Sequence, residues 1–227
     1  MRGCFIQWRL CIIKPRQIHM RKLIASLMLA VVLTAFTVDE DIFVGKILYK
    51  YSFSDMNGNE ITEKLSPYFG REQHYFIDSE NYKALDENGD LVQLYSSETN
   101  TYYYFNKGKF VQKIDGSTQT SKKAVVTELD LEDEIAGYNC KAVQIETDNA
   151  TTVYYYSPSI KTDKEVFSKH NFGEWNRYLE ATGGGLTLKF VMTDHKNGYV
   201  WTSVATEVSR MDLSAEDFVL PSDANKN

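Results

Sequence analysis

The segment from Ile135 to Pro158 is the feature that most restricts the possible folds. Two runs rich in Val, Ile, Thr and Tyr flank a polar Asp148-Asn149 pair. Branched and aromatic residues favour strands, and Asp and Asn tolerate the left-handed backbone conformations that tight turns use. Proline cannot donate a hydrogen bond to a strand ladder, so we expect Pro158 to end the second strand. The segment therefore predicts an antiparallel β-hairpin.

The same alternation recurs along the rest of the chain. In the first predicted strand, from Val44 to Ser54, every second residue from Ile47 to Phe53 is large and apolar, which indicates a sheet with one well-buried side. Further short strands are expected at 72–78, 81–85, 91–95, 101–105, 109–114, 186–193 and 199–210. Gly or Asn separates many of them, and Asn57-Gly58 predicts a type I′ turn. The fold class is therefore mainly β (α+β), with a meandering antiparallel sheet.

One stretch departs from this pattern. Phe172, Trp175 and Leu179 recur at helical spacing within 162–181, and three glycines follow at 183–185. A short amphipathic helix that ends at the glycines is expected there. Near the C-terminus, Ser214 and Asp217 have the spacing of a capping box, which predicts one helical turn before Phe218 and Leu220 enter the core.

The N-terminal region has the pattern of a secretory signal peptide. A basic Met20-Arg21-Lys22 precedes an apolar run at 23–36, and Ala35 and Thr37 suit a cleavage site. Fourteen helical residues span only ~21 Å, too short for a hydrocarbon core of ~30 Å, which disfavours a stable transmembrane anchor. We expect Met20 to be the true start. The expected organisation is an upstream segment and signal at 1–37, one domain at 38–221 and a polar tail at 222–227.

Net charge and cysteine content restrict which partners and cross-links the chain can have. Residues 1–37 hold six of the 25 Lys and Arg residues and none of the 31 Asp and Glu residues, so the remainder has 19 against 31 and a formal charge of −12. Nucleic acid is therefore not expected as a partner. Cys140 is the one cysteine left after residue 37, so an internal disulfide is not possible, and we interpret it as a buried small hydrophobe.

Patterns that could carry chemistry have simpler explanations. The acidic run at 128–134 alternates with leucines like a strand, and the loops at 55–59 and 86–90 lack the spacing of calcium sites. His74, His170 and His195 are widely separated, which gives no zinc pattern. A Gly-x-Ser-x-Gly elbow is absent, and the glycines at 183–185 follow a helix, unlike those of a phosphate loop. We therefore expect no catalytic residue, no metal site and no cofactor.

Several of these segments together resemble LolA-like secreted proteins of Gram-negative envelopes. The matching parts are the signal peptide and the segments at 47–51, 135–141, 152–158 and 218–221. The resemblance implies a curved antiparallel half-barrel with one or two short helices on its concave side. In the better understood relatives, that concavity takes lipoprotein acyl chains. This chain has fewer helical segments than the family pattern, which argues against a deep acyl-chain cavity.

The aromatic content of the strands leads to two functional hypotheses. Adjacent aromatics on a strand point to opposite faces, so both faces need cover from a helix, another protein or a lipid. The first hypothesis is a non-enzymatic periplasmic binding protein for a lipid, a lipoprotein or another apolar ligand. The second is an envelope protein-interaction module without a ligand cavity. The predicted concave-face ligand residues are Tyr51, Phe53, Tyr104, Tyr155, Phe190 and Trp201. A register slip of one residue would invert each assignment.

Overall fold

The computed structural model describes residues 42–221, which form one eleven-stranded antiparallel sheet. The strand order is β6-β5-β4-β3-β2-β1-β11-β10-β9-β8-β7. Because β1 pairs with both β2 and β11, the chain meanders outward to one edge, crosses to the other edge and meanders back. The strands are β1 (Gly45–Asp55), β2 (Glu72–Ile77), β3 (Asn81–Asp86), β4 (Leu91–Ser96), β5 (Thr101–Asn106), β6 (Lys109–Asp115), β7 (Ala124–Ile135), β8 (Tyr138–Thr147), β9 (Ala150–Lys161), β10 (Gly185–Asp194) and β11 (Tyr199–Arg210). The predicted fold class is confirmed.

The turn at Asp55–Asn59 closes differently from the prediction. Gly58 has a positive φ of 85°, whereas Asn57 does not share this conformation, so the expected type I′ turn is wrong. The Asp55 carboxylate instead accepts hydrogen bonds from the backbone N–H groups of Asn57 and Asn59, at 2.8 and 2.9 Å. This side-chain capping stabilises a wider loop, in which only the glycine needs a left-handed backbone.

The predicted central hairpin is confirmed as β8 and β9, but Pro158 does not end its second strand. β9 continues to Lys161, and Pro158 lies where the pairing with β10 is interrupted between Gly185 and Leu186. A proline is tolerated inside a strand at such an irregularity, because the ladder requires no N–H group from it there.

The sheet bends along a row of β-bulges. The unpaired residues are Thr206 in β11, Leu188 in β10, and Asp130 and Leu131 in β7. The pairings of the intervening strands place these bulges side by side. Each bulge bends its strand and increases the local twist. The sheet consequently curls enough for β7 and β11 to approach each other, although three strands lie between them.

The concave side of this sheet, here called the inner face, carries the main core. Its fully buried side chains include Ile47, Ile77, Leu186 and Leu188. The segment Thr162–Thr182, here called the cover segment, packs against this face. It contains a 3-10 turn (Phe172–Glu174) and helix α2 (Trp175–Thr182), which ends at Gly183 in a left-handed conformation. The predicted helix and its glycine stop are confirmed.

The opposite side, here called the outer face, has a smaller cover of its own. Leu94, Phe105 and Phe218 form a second buried cluster, which Leu213 and Leu220 join. The predicted capping box is present at the 3-10 turn Ala215–Phe218. Phe218 and Leu220 were expected in the core. Phe218 is buried in this second cluster and Leu220 packs against it, so the cluster to which they belong is the one on the outer face.

A further helix escaped the sequence interpretation. Helix α1 (Thr62–Phe69) follows β1 and contains Pro67, which breaks the usual helical pattern. Thr62 anchors the helix, because its Oγ1 accepts a 2.9 Å hydrogen bond from the Phe53 backbone N–H. Within residues 42–221, no helix is long and apolar enough to cross a membrane. The predicted signal peptide at Met20–Thr37 and the tail at 222–227 lie outside the described residues.

Candidate functional site

A cavity of about 260 Å³ lies between the inner face and the cover segment. Rings from β1, β2, β3, β5, β9 and β10 converge on it, as expected for the concave side of a curved sheet. Phe172, Gly173 and Trp175 of the cover segment bound it from the other side. The remaining lining residues are Tyr49, Gln73, Tyr75, Tyr82, Gln93, Tyr102, Tyr154, Leu186, Thr187, Phe190 and Ser203.

Most of the tyrosine hydroxyls around the cavity have defined partners. The Tyr49 hydroxyl donates to the Thr187 carbonyl at 2.6 Å, and the Tyr102 hydroxyl donates to Gln93 Oε1 at 2.9 Å. The Tyr82 hydroxyl lies 2.6 Å from His170 Nε2. These bonds fix the rings in place, so the shape of the cavity is set before any ligand enters.

Three polar groups on the lining lack a hydrogen-bond partner among the described residues. They are the Tyr75 hydroxyl, the Trp175 indole N–H and the Thr187 hydroxyl. The Tyr75 and Trp175 side chains pack against the same ring, because the Tyr82 centroid lies 5.5 Å from that of Tyr75 and 6.1 Å from that of Trp175. Buried polar groups in native proteins are nearly always hydrogen-bonded, so these exceptions require an explanation.

The cavity is electrically neutral. Among residues 42–221, its lining includes no Lys, Arg, His, Asp or Glu. Burial raises the pKa of Tyr75 well above its ordinary value, so this phenol keeps its proton and remains a donor. Behind the wall, burial lowers the pKa of His170 to about 3, which keeps the imidazole uncharged at neutral pH.

The cover segment is held across the gap between the two sheet edges. The backbone N–H groups of Asn171 and Phe172 donate to the Gly116 carbonyl, at 2.7 and 3.0 Å. Glu174, which has a left-handed φ of 61°, accepts a hydrogen bond from Ser121, and Arg177 pairs with it at 3.1 Å. The loop from β6 to β7 therefore positions the residues that close the cavity.

The six predicted ligand residues occupy four different environments, three of them on the inner face. Phe190 lines the cavity. Tyr51, Phe53 and Trp201 lie next to it on the inner face, where the Trp201 centroid is 5.0 Å from Tyr51, 5.5 Å from Phe53 and 5.3 Å from Phe190. Tyr104 shares this face by its pairing with Gln93, but it lies outside the lining and is 38% exposed.

Tyr155 requires a correction. It pairs with Lys189 of β10, which pairs in turn with Val204 of β11, and these residues lie on the outer face. There the Lys189 ammonium sits 4.6 Å from the centroid of the Tyr155 ring. Its neighbour Tyr154 takes the inner position. Three consecutive tyrosines make the strand pattern ambiguous, and a shift of one residue reverses the face.

Sequence interpretation missed most of the lining. Tyr49 was recognisable, since it alternates with Tyr51 and Phe53 on one strand face. Tyr75, Tyr82 and Tyr102 come from short strands whose pattern does not reveal which face is concave.

Metal ligands do not cluster in the part of the chain that the structure describes. Within 42–221, no group of three or more His, Cys, Asp or Glu side chains could hold an ion. Cys140 is buried, and burial raises the pKa of its thiol to about 11. A thiol with a raised pKa is a poor nucleophile.

Comparison with known proteins gives distant structural similarities. No family model matches the chain, and no curated protein shows significant similarity. Two crystal forms of PNGF-II are similar at TM-scores of 0.46 and 0.45, with 16% and 15% identity; they cover 77% and 78% of this chain. The chain spans only 29% and 30% of those PNGF-II chains.

Two further solved structures match this chain over nearly the whole of their own length. A LolA superfamily protein from Nitrosomonas europaea matches at a TM-score of 0.35 and 10% identity, over 79% of this chain and 91% of its own. A putative outer membrane lipoprotein-sorting protein domain from Vibrio parahaemolyticus matches at 0.33 and 9%, over 85% and 95%. One of these structural neighbours is thus a protein named as a member of the LolA superfamily.

Proposed function

We propose that this protein is a non-enzymatic periplasmic binding protein that holds an apolar ligand in the inner-face cavity. The observation that supports this most is the uncharged, largely aromatic lining between the sheet and the cover segment. Ligand sites are typically concave and apolar with a few polar groups, which describes this cavity. The proposal assigns no catalytic residue, so the ligand is expected to leave the protein chemically unchanged.

The size of the cavity restricts the ligand. Its volume of about 260 Å³ lies just below the range of roughly 300–1,000 Å³ that is usual for drug-sized ligands. A long acyl chain has as many heavy atoms as such a ligand and would need the cover segment to move outward. The proposal therefore favours a small apolar molecule, or one end of a lipid, over a fully enclosed acyl chain.

Native mass spectrometry of the protein purified under mild conditions tests this proposal, together with extraction and identification of copurified small molecules. A bound apolar molecule, recovered unchanged, is expected. Ser203 is a buried lining residue, and Ser203→Leu should narrow the cavity and weaken binding. Ser52 is exposed on the adjacent strand, so Ser52→Leu is the matched control and should bind normally. Unchanged affinity in Ser203→Leu would place the ligand elsewhere.

Export is the second part of the proposal. It rests on the basic and apolar pattern at 20–37, which is typical of signal peptides. Cell fractionation followed by N-terminal sequencing should find the protein in the periplasm, beginning near residue 38. An intact N-terminus in the cytoplasmic fraction would contradict it.

A second candidate function is an envelope protein-interaction module. The observation that favours it is a group of exposed aromatic residues on α1, where Tyr68 is 79% exposed and Phe69 is 39% exposed. Phe69 continues the cluster formed with Phe53 and Trp201, at 5.5 and 5.3 Å between centroids. A photo-cross-linker at position 68 should capture an envelope protein in cells if this function is correct. The same label at position 113, on the exposed edge strand β6, is the control.

A further inference from the structure

Two of the unpartnered groups on the lining, the Tyr75 hydroxyl and the Trp175 N–H, indicate which polar group an otherwise apolar ligand would offer. Tyr75 is only 8% exposed, and its hydroxyl is buried without an acceptor. The Trp175 N–H is buried and unpartnered on the opposite wall. An indole N–H can only donate, and a protonated phenol readily does so.

Three of the lining tyrosines already have partners. Tyr49 bonds to a backbone carbonyl, Tyr102 bonds to Gln93, and Tyr82 is in contact with His170. A donor that is buried without an acceptor costs free energy, which a ligand acceptor would recover on binding. Tyr75 and Trp175 both offer a hydrogen to a ligand. The third unpartnered group, the Thr187 hydroxyl, can donate as well and so can serve the same acceptor.

The absence of charged residues from the lining decides the charge of the ligand. An ionised carboxylate or ammonium buried there would have no counter-ion, and burying an unpaired charge is strongly unfavourable. A neutral acceptor such as a ketone, ester or amide carbonyl avoids this cost. In scale, an apolar cavity of about 150 Å³ can hold a benzene molecule, so 260 Å³ admits one ring with a short substituent.

We infer that the cavity selects a neutral, ring-sized apolar molecule with a hydrogen-bond acceptor, held by the Tyr75 hydroxyl and the Trp175 N–H. The inference rests on the proposed binding function and specifies its ligand class. It excludes a free fatty acid whose carboxylate enters the cavity.

Calorimetric titration with three probes of similar size tests the inference. Acetophenone offers a ring and a neutral acceptor, ethylbenzene offers the ring alone, and benzoate offers a charged acceptor. We expect Tyr75→Phe to weaken acetophenone binding roughly three- to tenfold, which is the range of one neutral hydrogen bond, and to change ethylbenzene binding less than twofold. Trp175→Phe should likewise weaken the binding of acetophenone more than that of ethylbenzene. Benzoate should bind more weakly than acetophenone to the unmodified protein.

Tyr104→Phe is the control, since Tyr104 lies on the same face but outside the lining. It should leave the affinities of all three probes unchanged. Thermal unfolding of each variant establishes that it is folded. If acetophenone and ethylbenzene both bind and Tyr75→Phe weakens them equally, the inference fails and the binding function stands. Tighter binding of benzoate than of acetophenone also overturns it. If no probe binds the unmodified protein, the proposed function fails as well.

Discussion

The His170 imidazole stacks on the Tyr95 ring, with centroids 4.0 Å apart and planes 5° from parallel. Its Nε2 atom also lies 2.6 Å from the Tyr82 hydroxyl. A residue of the cover segment is thereby fixed to two strands of the sheet behind the cavity wall. His170 is 1% exposed, so a charge on this ring would be costly.

Acid should loosen this attachment. Burial lowers the folded-state pKa of His170 to about 3, against roughly 6.5 in the unfolded chain. Its contribution to stability is therefore complete above pH 6.5 and is lost as the pH falls from 6.5 towards 3. Between pH 7 and pH 5 the free energy of unfolding should drop by about 2 kcal/mol from this group alone.

Urea unfolding at pH 7, 6 and 5 measures this loss. His170→Gln should be less stable overall but should lose about 2 kcal/mol less than the unmodified protein over this range. His195 is exposed, and His195→Gln should keep the full pH dependence. Equal pH dependence in all three proteins would show that His170 is not buried as described.

Gly184, the second glycine after α2, should be more sensitive to an added side chain than an exposed glycine. Gly184 has a φ of +85°, and an added Cβ would lie 2.4 Å from the Thr162 carbonyl oxygen. Gly198 also has a positive φ, of +73°, but open space surrounds it. Gly198→Ala should therefore cost only the backbone strain, roughly 1–2 kcal/mol. Gly184→Ala should cost about 1–3 kcal/mol more because of the clash. Equal losses in chemical unfolding would exclude a close approach between the cover segment and β10.

Truncation of Tyr154 should destabilise the protein much more than truncation of Tyr155. Tyr154 packs on Tyr178 of α2, with centroids 5.0 Å apart, so Tyr154→Ala should reduce the free energy of unfolding by about 3 kcal/mol or more. Tyr155→Ala mainly removes a contact with Lys189 on the outer face, worth roughly 0.5–1 kcal/mol, together with some partly buried area. Only the first variant should also lose ligand binding. The reverse order of effects would mean that β9 is shifted by one residue.

Phe218 should be required to shield the apolar side chains of the outer face from solvent. Phe218 packs with Leu94 and Phe105, and its ring lies 5.6 Å from the Lys83 ammonium. Phe218→Ala should destabilise the protein by about 3 kcal/mol and increase the binding of a hydrophobic dye. Val219 is exposed, and Val219→Ala should stay within about 0.5 kcal/mol of the unmodified protein. Unchanged dye binding in Phe218→Ala would contradict the shielding role.

The predictions that succeeded depend on residues close together in the sequence, and those that failed depend on contacts between distant segments. The strands, the helix before the glycines and the Ser214–Asp217 capping box depend on residues a few positions apart, so local patterns were sufficient. Helix α1 was missed because Thr62 is held by the backbone of Phe53 in the preceding strand, a contact that local propensity does not encode.

The sequence by itself determined an antiparallel meander with aromatic strands, one covering helix and a strongly acidic chain. Only the tertiary structure decided which face of each strand is concave, because the bulges at Leu188 and Thr206 shift the pairing by single residues. That shift placed Tyr154 inside and Tyr155 outside. The unpartnered donors at Tyr75 and Trp175 could likewise not be predicted from local sequence. Whether a polar group finds a partner depends on residues that the fold brings together from distant strands.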